Sequence, residues 1–124
     1  MNAEHIGIFA RDTVALSRWY LETLGFKVIR TLEKEGRPPI FFLKGEKGMV
    51  IEILPTTSSH VARELSDPGY SHIGLVVQDF DQAASSLQSK GVSLHDVRTT
   101  SNGWTIGYFN DPEGNRLEIV YRPQ

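Results

Sequence analysis

The chain repeats itself once, and that repeat constrains the fold more than any other feature. His5-Ile6-Gly7-Ile8 returns as His72-Ile73-Gly74-Leu75. Each copy then reaches an acidic turn, Arg11-Asp12 or Gln78-Asp79. Each runs on through a helix-like stretch to a glycine and a β-rich segment, Gly25-Phe26-Lys27-Val28 or Gly91-Val92-Ser93-Leu94. Later, Gly48-Met49-Val50-Ile51-Glu52-Ile53 matches Gly114-Asn115-Arg116-Leu117-Glu118-Ile119. The interval from His5 to Glu52 is 47 positions (52 − 5) and that from His72 to Glu118 is 46 (118 − 72). Self-similarity at such a spacing marks two copies of one supersecondary unit. The modules are residues 1–55 and 70–124, joined by a linker over 56–69, and the 124 residues together suit one domain.

Both modules predict the element order βαβββ, hence an α+β fold. In the first, residues 3–10 suit a strand. Leu16, Trp19, Tyr20 and Leu24 then recur at helical spacing. Thr13 is the expected N-cap and Gly25 the residue just past the helix end. Strands are expected near 26–33, 39–45 and 48–54. The second module predicts a strand over 71–78, a helix over about 80–90, and strands near 93–99, 104–110 and 115–122. Asp111-Pro112-Glu113-Gly114 supplies a turn between the last two. Within the linker, His60 to Leu65 suits a short helix.

Composition excludes several functions. With no cysteine there is no disulfide framework, thiolate metal site or cysteine nucleophile. Thirteen Lys and Arg stand against 15 acidic residues, a formal charge of −2, and the basic residues are scattered. A nucleic-acid partner would call for a clustered basic excess. The first residues lack the basic-then-apolar pattern of a signal peptide, and no apolar run reaches spanning length. A cytoplasmic protein without a membrane partner is the expectation. Gly45-Glu46-Lys47-Gly48 is a tight turn without phosphate-loop spacing, and no Ser/His/Asp motif is present. His60 and His95 have no repeated counterpart and are read as ordinary surface or structural residues.

The repeated His and Glu are different. Strand alternation places His5 with Gly7 and Phe9, opposite Ile6, Ile8 and Ala10. Glu52 lies opposite Ile51 and Ile53, and Glu118 opposite Leu117 and Ile119. A single strand His or Glu is ordinarily satisfied by a hydrogen bond or by water. A carboxylate set into an apolar strand, twice and each time with a matched His, calls for a partner. Two imidazoles and two carboxylates suit a first-row divalent ion. On an octahedral ion, four such ligands leave two positions open. His5, Glu52, His72 and Glu118 are therefore the expected ligands of one divalent metal.

The chain resembles the vicinal oxygen chelate superfamily, which includes glyoxalase I, methylmalonyl-CoA epimerase, extradiol dioxygenases and the fosfomycin and bleomycin resistance proteins. The resemblance spans essentially the whole chain. It is carried by His5-Ile-Gly-Ile, Trp19-Tyr20 through Leu24-Gly25-Phe26, His72-Ile-Gly-Leu, and Phe109-Asn-Asp-Pro-Glu-Gly-Asn through Leu117-Glu118. It implies the fold of that superfamily and a His, Glu, His, Glu ligand set like that of bacterial glyoxalase I. Two glutathione contacts of that enzyme are replaced: Phe9 stands where an Arg is expected and Thr56 where an Asn is expected. Each missing contact leaves a carboxylate poorly paired, at roughly 1–3 kcal/mol. The expectation is weak use of glutathione hemithioacetal and a more apolar pocket, with Phe9, Phe42, Trp104 and Tyr108 against a small-molecule substrate.

The resemblance thus implies a lyase or isomerase that stabilises an enediolate on a small oxygen-chelating substrate. Glu118, with Glu52 as its near-symmetric counterpart, would move the proton. The metal is Ni, Co, Mn, Fe or Zn. An Fe(II) dioxygenase and a non-catalytic binding or resistance protein are the alternatives. A homodimer that shares its sites between chains is the expected assembly, because similar small members commonly pair the first module of one chain with the second of its mate.

Overall fold

The computed structural model describes residues 1–60 and 64–123. The chain divides into two compact units, Met1–His60 and Val61–Gln124. Unit 1 holds β1 (His5–Ala10), α1 (Thr13–Leu24), β2 (Lys27–Leu32), β3 (Ile40–Lys44) and β4 (Val50–Pro55). Unit 2 holds β5 (Ile73–Val76), α2 (Phe80–Ser89), β6 (His95–Thr99), β7 (Thr105–Asn110) and β8 (Arg116–Tyr121). Both follow the expected βαβββ order. The short helix expected over His60 to Leu65 falls largely on residues 61–63, outside the described residues.

Each unit is one four-stranded mixed sheet, in the orders β1-β4-β3-β2 and β5-β8-β7-β6. The first strand of each lies parallel to the last, and the other pairs are antiparallel. A parallel neighbour requires a crossover, and the helix with its two following strands provides it. This connection puts the repeated His and Glu on adjacent strands.

The helices start on aspartates. Asp12 is extended and its Oδ1 accepts from the Ala15 amide at 2.9 Å; Asp79 does the same for Gln82 at 3.0 Å. The expected N-cap, Thr13, is thus corrected by one residue. A carboxylate caps the helix at Asp12, while the Thr13 hydroxyl donates to the Pro39 carbonyl at 2.7 Å, tying the helix start to the chain entering β3. Gly25 ends α1 at φ 74°, a left-handed geometry that glycine adopts without a Cβ penalty.

In unit 1, α1 lies on β3 and β4 and buries Leu16 and Tyr20 together with Leu43, Ile51 and Ile53. In unit 2, α2 lies on β8, and Leu87, Phe109, Leu117 and Ile119 are buried. Gly107 admits this packing: a Cβ there would stand 3.2 Å from Phe80 Cζ and from Val97 Cγ2. Ile106, Tyr108 and Val120 form a further buried cluster, on the sheet face that also carries Glu118. No helix among the described residues is long and apolar enough to cross a membrane.

Candidate metal-binding pairs

Strand register brings each repeated histidine to its glutamate. On β1 and β4, Gly7 is the Cα partner of Glu52, and His5 lies two residues earlier on the same face. On β5 and β8, Gly74 is the partner of Glu118, with His72 two residues before it. His5 Nε2 stands 3.6 Å from Glu52 Oε1, and His72 Nε2 stands 3.5 Å from Glu118 Oε2. Each glutamate thus faces a glycine, which puts no side chain beside the carboxylate. A Cβ on Gly74 would lie 3.5 Å from Glu118 Oε1, and one on Gly7 would lie 3.1 Å from Leu54 Cδ1.

The other nitrogen of each ring is occupied by the preceding residue. His5 Nδ1 lies 2.8 Å from Glu4 Oε1, and His72 Nδ1 lies 2.8 Å from Ser71 Oγ. The Glu4 contact engages Nδ1, so that Nε2 is the ring nitrogen that faces Glu52. A hydrogen-bonded Nδ1 is how metal-ligating histidines are commonly oriented. The sequence does not single out Glu4 and Ser71 as partners of the histidines. Their only signal is a polar residue before each repeated His, which is too common to single out.

These pairs fit a divalent ion. Donors about 2.0–2.2 Å from a shared ion stand on the order of 3 Å apart, so a movement of a few tenths of an ångström suffices. The Glu52 and Glu118 side chains are 16 % and 13 % exposed, sheltered but reachable. Among the described residues, no group of three or more His, Asp and Glu side chains is gathered tightly enough to hold an ion.

The surroundings of the two pairs differ. Across from Glu52 on β3 is Phe42, an apolar ring. Across from Glu118 on β7 is Tyr108, which places a phenol beside the carboxylate. Hydrogen bonding to Glu118, then burial, then the Glu118 charge raise the phenol pKa above its usual value of 10.0, against smaller opposing effects of Arg116 and Arg98. The Tyr108 ring receives the His72 ring edge-on at 5.3 Å, and His95 stacks against it at 6.3 Å. Arg116 Cζ lies 3.9 Å from the same ring centroid.

The other expected pocket residues are placed less closely. Phe9 is on the His5 face of β1 and 69 % exposed. Trp104 precedes the first residue of β7 rather than lying on the strand, and Arg122 Cζ covers its ring at 4.4 Å from the centroid. Thr56 accepts from the Ser58 amide at 3.1 Å through its hydroxyl. His60 and His95 are exposed and belong to neither pair, and His95 Nδ1 meets Asp96 at 3.2 Å.

The family model of the glyoxalase/bleomycin resistance protein/dioxygenase superfamily matches residues 2–119. The chain belongs to this superfamily. The uncharacterised Escherichia coli K12 protein YaeR is 30 % identical to it over 93 % of this chain and 92 % of its own length. The uncharacterised Bacillus subtilis 168 protein YwbC is 28 % identical over 96 % of each. Among solved structures, a glyoxalase family protein from Enterococcus faecalis aligns at a TM-score of 0.80 with 24 % identity over 96 % of each chain. A lactoylglutathione lyase from Agrobacterium tumefaciens aligns at 0.72 with 18 % identity over 97 % of this chain and 92 % of the lyase. At those identities the structural likeness concerns the superfamily fold. Activities differ among superfamily members, so the reaction must be argued from the residues.

Proposed function

We propose that this chain is a divalent-metal-dependent lyase or isomerase of the glyoxalase I-like type, acting on a small substrate that presents two neighbouring oxygens. The reading is carried by the His–Glu pair built twice: in both units Nε2 is aimed at a carboxylate, Nδ1 is engaged by the preceding residue, and a glycine faces the glutamate. His5, Glu52, His72 and Glu118 would hold the ion, with the two pairs meeting within a chain or between two chains. Such an ion supplies Lewis acidity to a substrate carbonyl.

The chain's own groups supply the rest. His5 and His72 are held in one orientation by Glu4 and Ser71. Glu118 or its counterpart Glu52 takes a proton from the carbon next to the carbonyl and returns it to the neighbouring carbon. The apolar Phe42 ring beside Glu52 limits water there. Phe9 and Thr56, in place of basic and amide groups, direct the site away from glutathione conjugates.

The test is elemental analysis of the purified protein, followed by turnover assays on hemithioacetals and 2-oxo thioesters. Retained divalent metal with turnover of one of these classes is expected. Metal-dependent oxygen consumption would instead indicate a dioxygenase. Purification and reconstitution without any metal uptake would indicate a binding protein.

A further inference from the structure

Arg116 breaks the repeat in a chemically specific way. It lies two residues before Glu118 on β8, so both side chains are on one face of the strand. The matching position in unit 1, two residues before Glu52, is Val50. The cross-strand neighbour changes in the same sense, from Phe42 beside Glu52 to Tyr108 beside Glu118. The surroundings of one carboxylate are apolar. Those of the other carry a guanidinium and a phenol.

The guanidinium is held but not neutralised. Its Cζ sits 3.9 Å from the Tyr108 ring centroid, and that ring also meets His72 at 5.3 Å. Guanidinium, phenol ring and metal-competent imidazole therefore form one contiguous group. Among the described residues, no carboxylate pairs with Arg116, and its buried Nε has no hydrogen-bond partner. A buried donor without a partner is uncommon in folded proteins and calls for an explanation. With Cζ over the aromatic ring and Nε buried, the edge left to bind is the one carrying the two terminal nitrogens, and that edge matches an oxyanion in a bidentate fork.

Building on the function proposed above, we propose that Arg116 is an oxyanion-binding position beside the His72–Glu118 pair, and that the substrate carries an anionic oxyacid group next to its chelating oxygens. The group is a carboxylate or a phosphonate, both of which offer the paired oxygens that the fork requires. Tyr108 takes part as the platform that holds the guanidinium plane. The Val50 and Phe42 surroundings of Glu52 offer no such group.

The experiment uses the full chain as wild type, Arg116→Lys and Arg116→Met. Val50 shows that this strand position accepts an apolar side chain, and circular dichroism checks each variant's fold. Divalent metal is titrated first. The metal-loaded proteins are then titrated with glycerate, 2,3-dihydroxypropylphosphonate and the neutral amide glyceramide, each of which carries two vicinal hydroxyls beside the group under test. Carboxylates favour a metal over amides even without an arginine, so the decisive quantity is how the anion-to-amide preference changes on substitution. In Arg116→Met the preference for at least one of the two anions should fall about tenfold or more, with metal affinity unchanged, and Arg116→Lys should fall between. The anion affected names the group. Metal binding with an unchanged preference in Arg116→Met would overturn this inference alone. Failure of the wild type to bind metal would overturn it together with the functional reading.

Discussion

Tyr108 on β7 and Glu118 on β8 are cross-strand partners, and a hydrogen bond to the carboxylate is the first cause of the raised phenol pKa. The equivalent pair in the first unit is Phe42 and Glu52, which lacks that hydrogen bond. Tyr108→Phe therefore copies a side chain the fold already accepts at the matching place. It should cost about 1 kcal/mol at neutral pH, the usual worth of one hydrogen bond. The sign with pH follows from the raised phenol pKa. The contribution is fully present below the unfolded tyrosine value near 10 and is lost as pH rises through the higher folded value. Denaturant midpoints of wild type and Tyr108→Phe, compared from neutral to strongly alkaline pH without metal, should converge at the alkaline end. A gap that is constant with pH would show that the hydrogen bond is not its source.

The donor set makes a separate prediction. His5→Ala and Glu118→Gln each remove a donor or its charge, so each should lower metal occupancy and cut turnover by at least tenfold. His60→Ala should change neither, because His60 is exposed and outside both pairs. Metal should also raise the melting temperature of the wild type, as any ligand of the folded state does, and a chelator should reverse the gain. Full occupancy in both ligand variants would remove these residues from the metal site.

Gly74 puts no side chain beside Glu118: a Cβ there would just touch Oε1 at 3.5 Å, and the γ-methyls of a valine would reach further. Gly74→Val should be accepted by the strand yet crowd the carboxylate. The expected result is a folded protein with metal affinity lowered about tenfold or more. Wild-type affinity in a folded Gly74→Val would show that the glycine is not required.

Glutathione use should be poor. Phe9 is exposed on the His5 face and offers no charge to a glutathione carboxylate, and the Thr56 hydroxyl is engaged by the Ser58 amide. Two absent contacts at roughly 1–3 kcal/mol each correspond to a large loss in kcat/KM for the methylglyoxal–glutathione hemithioacetal. Turnover matching an established glyoxalase I would refute this and require another basic residue at the carboxylate.

A homodimer with shared sites is the assembly we propose, since each unit supplies only one His–Glu pair. Two-fold symmetry would then generate two equivalent sites. Mixing inactive His5→Ala and Glu118→Gln proteins under subunit exchange should restore activity at one site per heterodimer. That site would draw His5 and Glu52 from one chain and His72 and Glu118 from the other, all unmutated. Demonstrated exchange without recovered activity would place each site within a single chain. A monomer by sedimentation at micromolar concentration would rule out sharing altogether.

By itself, the sequence determined the element order, the approximate element bounds and the face on which each repeated His and Glu lies. Those properties are local: strand alternation, helical spacing and turn residues act over a few positions, and the repeat stated them twice. The helix begins at Thr13 as its spacing indicates, but its cap is Asp12 rather than Thr13: both side chains can cap, and only the tertiary contact to Pro39 engages Thr13 elsewhere. Tertiary structure alone decided what each ligand candidate touches. The glycine opposite each glutamate, the phenol on Glu118 and the guanidinium over Tyr108 depend on strand register, which joins residues far apart in the chain. Glu4 and Ser71 are adjacent to their histidines, yet their role depends on side-chain orientation, which no residue pattern states. The repeat therefore announced two equivalent half-sites. The register showed that they are chemically unequal, because a neighbouring strand supplies an apolar ring to one carboxylate and a hydrogen-bond donor to the other.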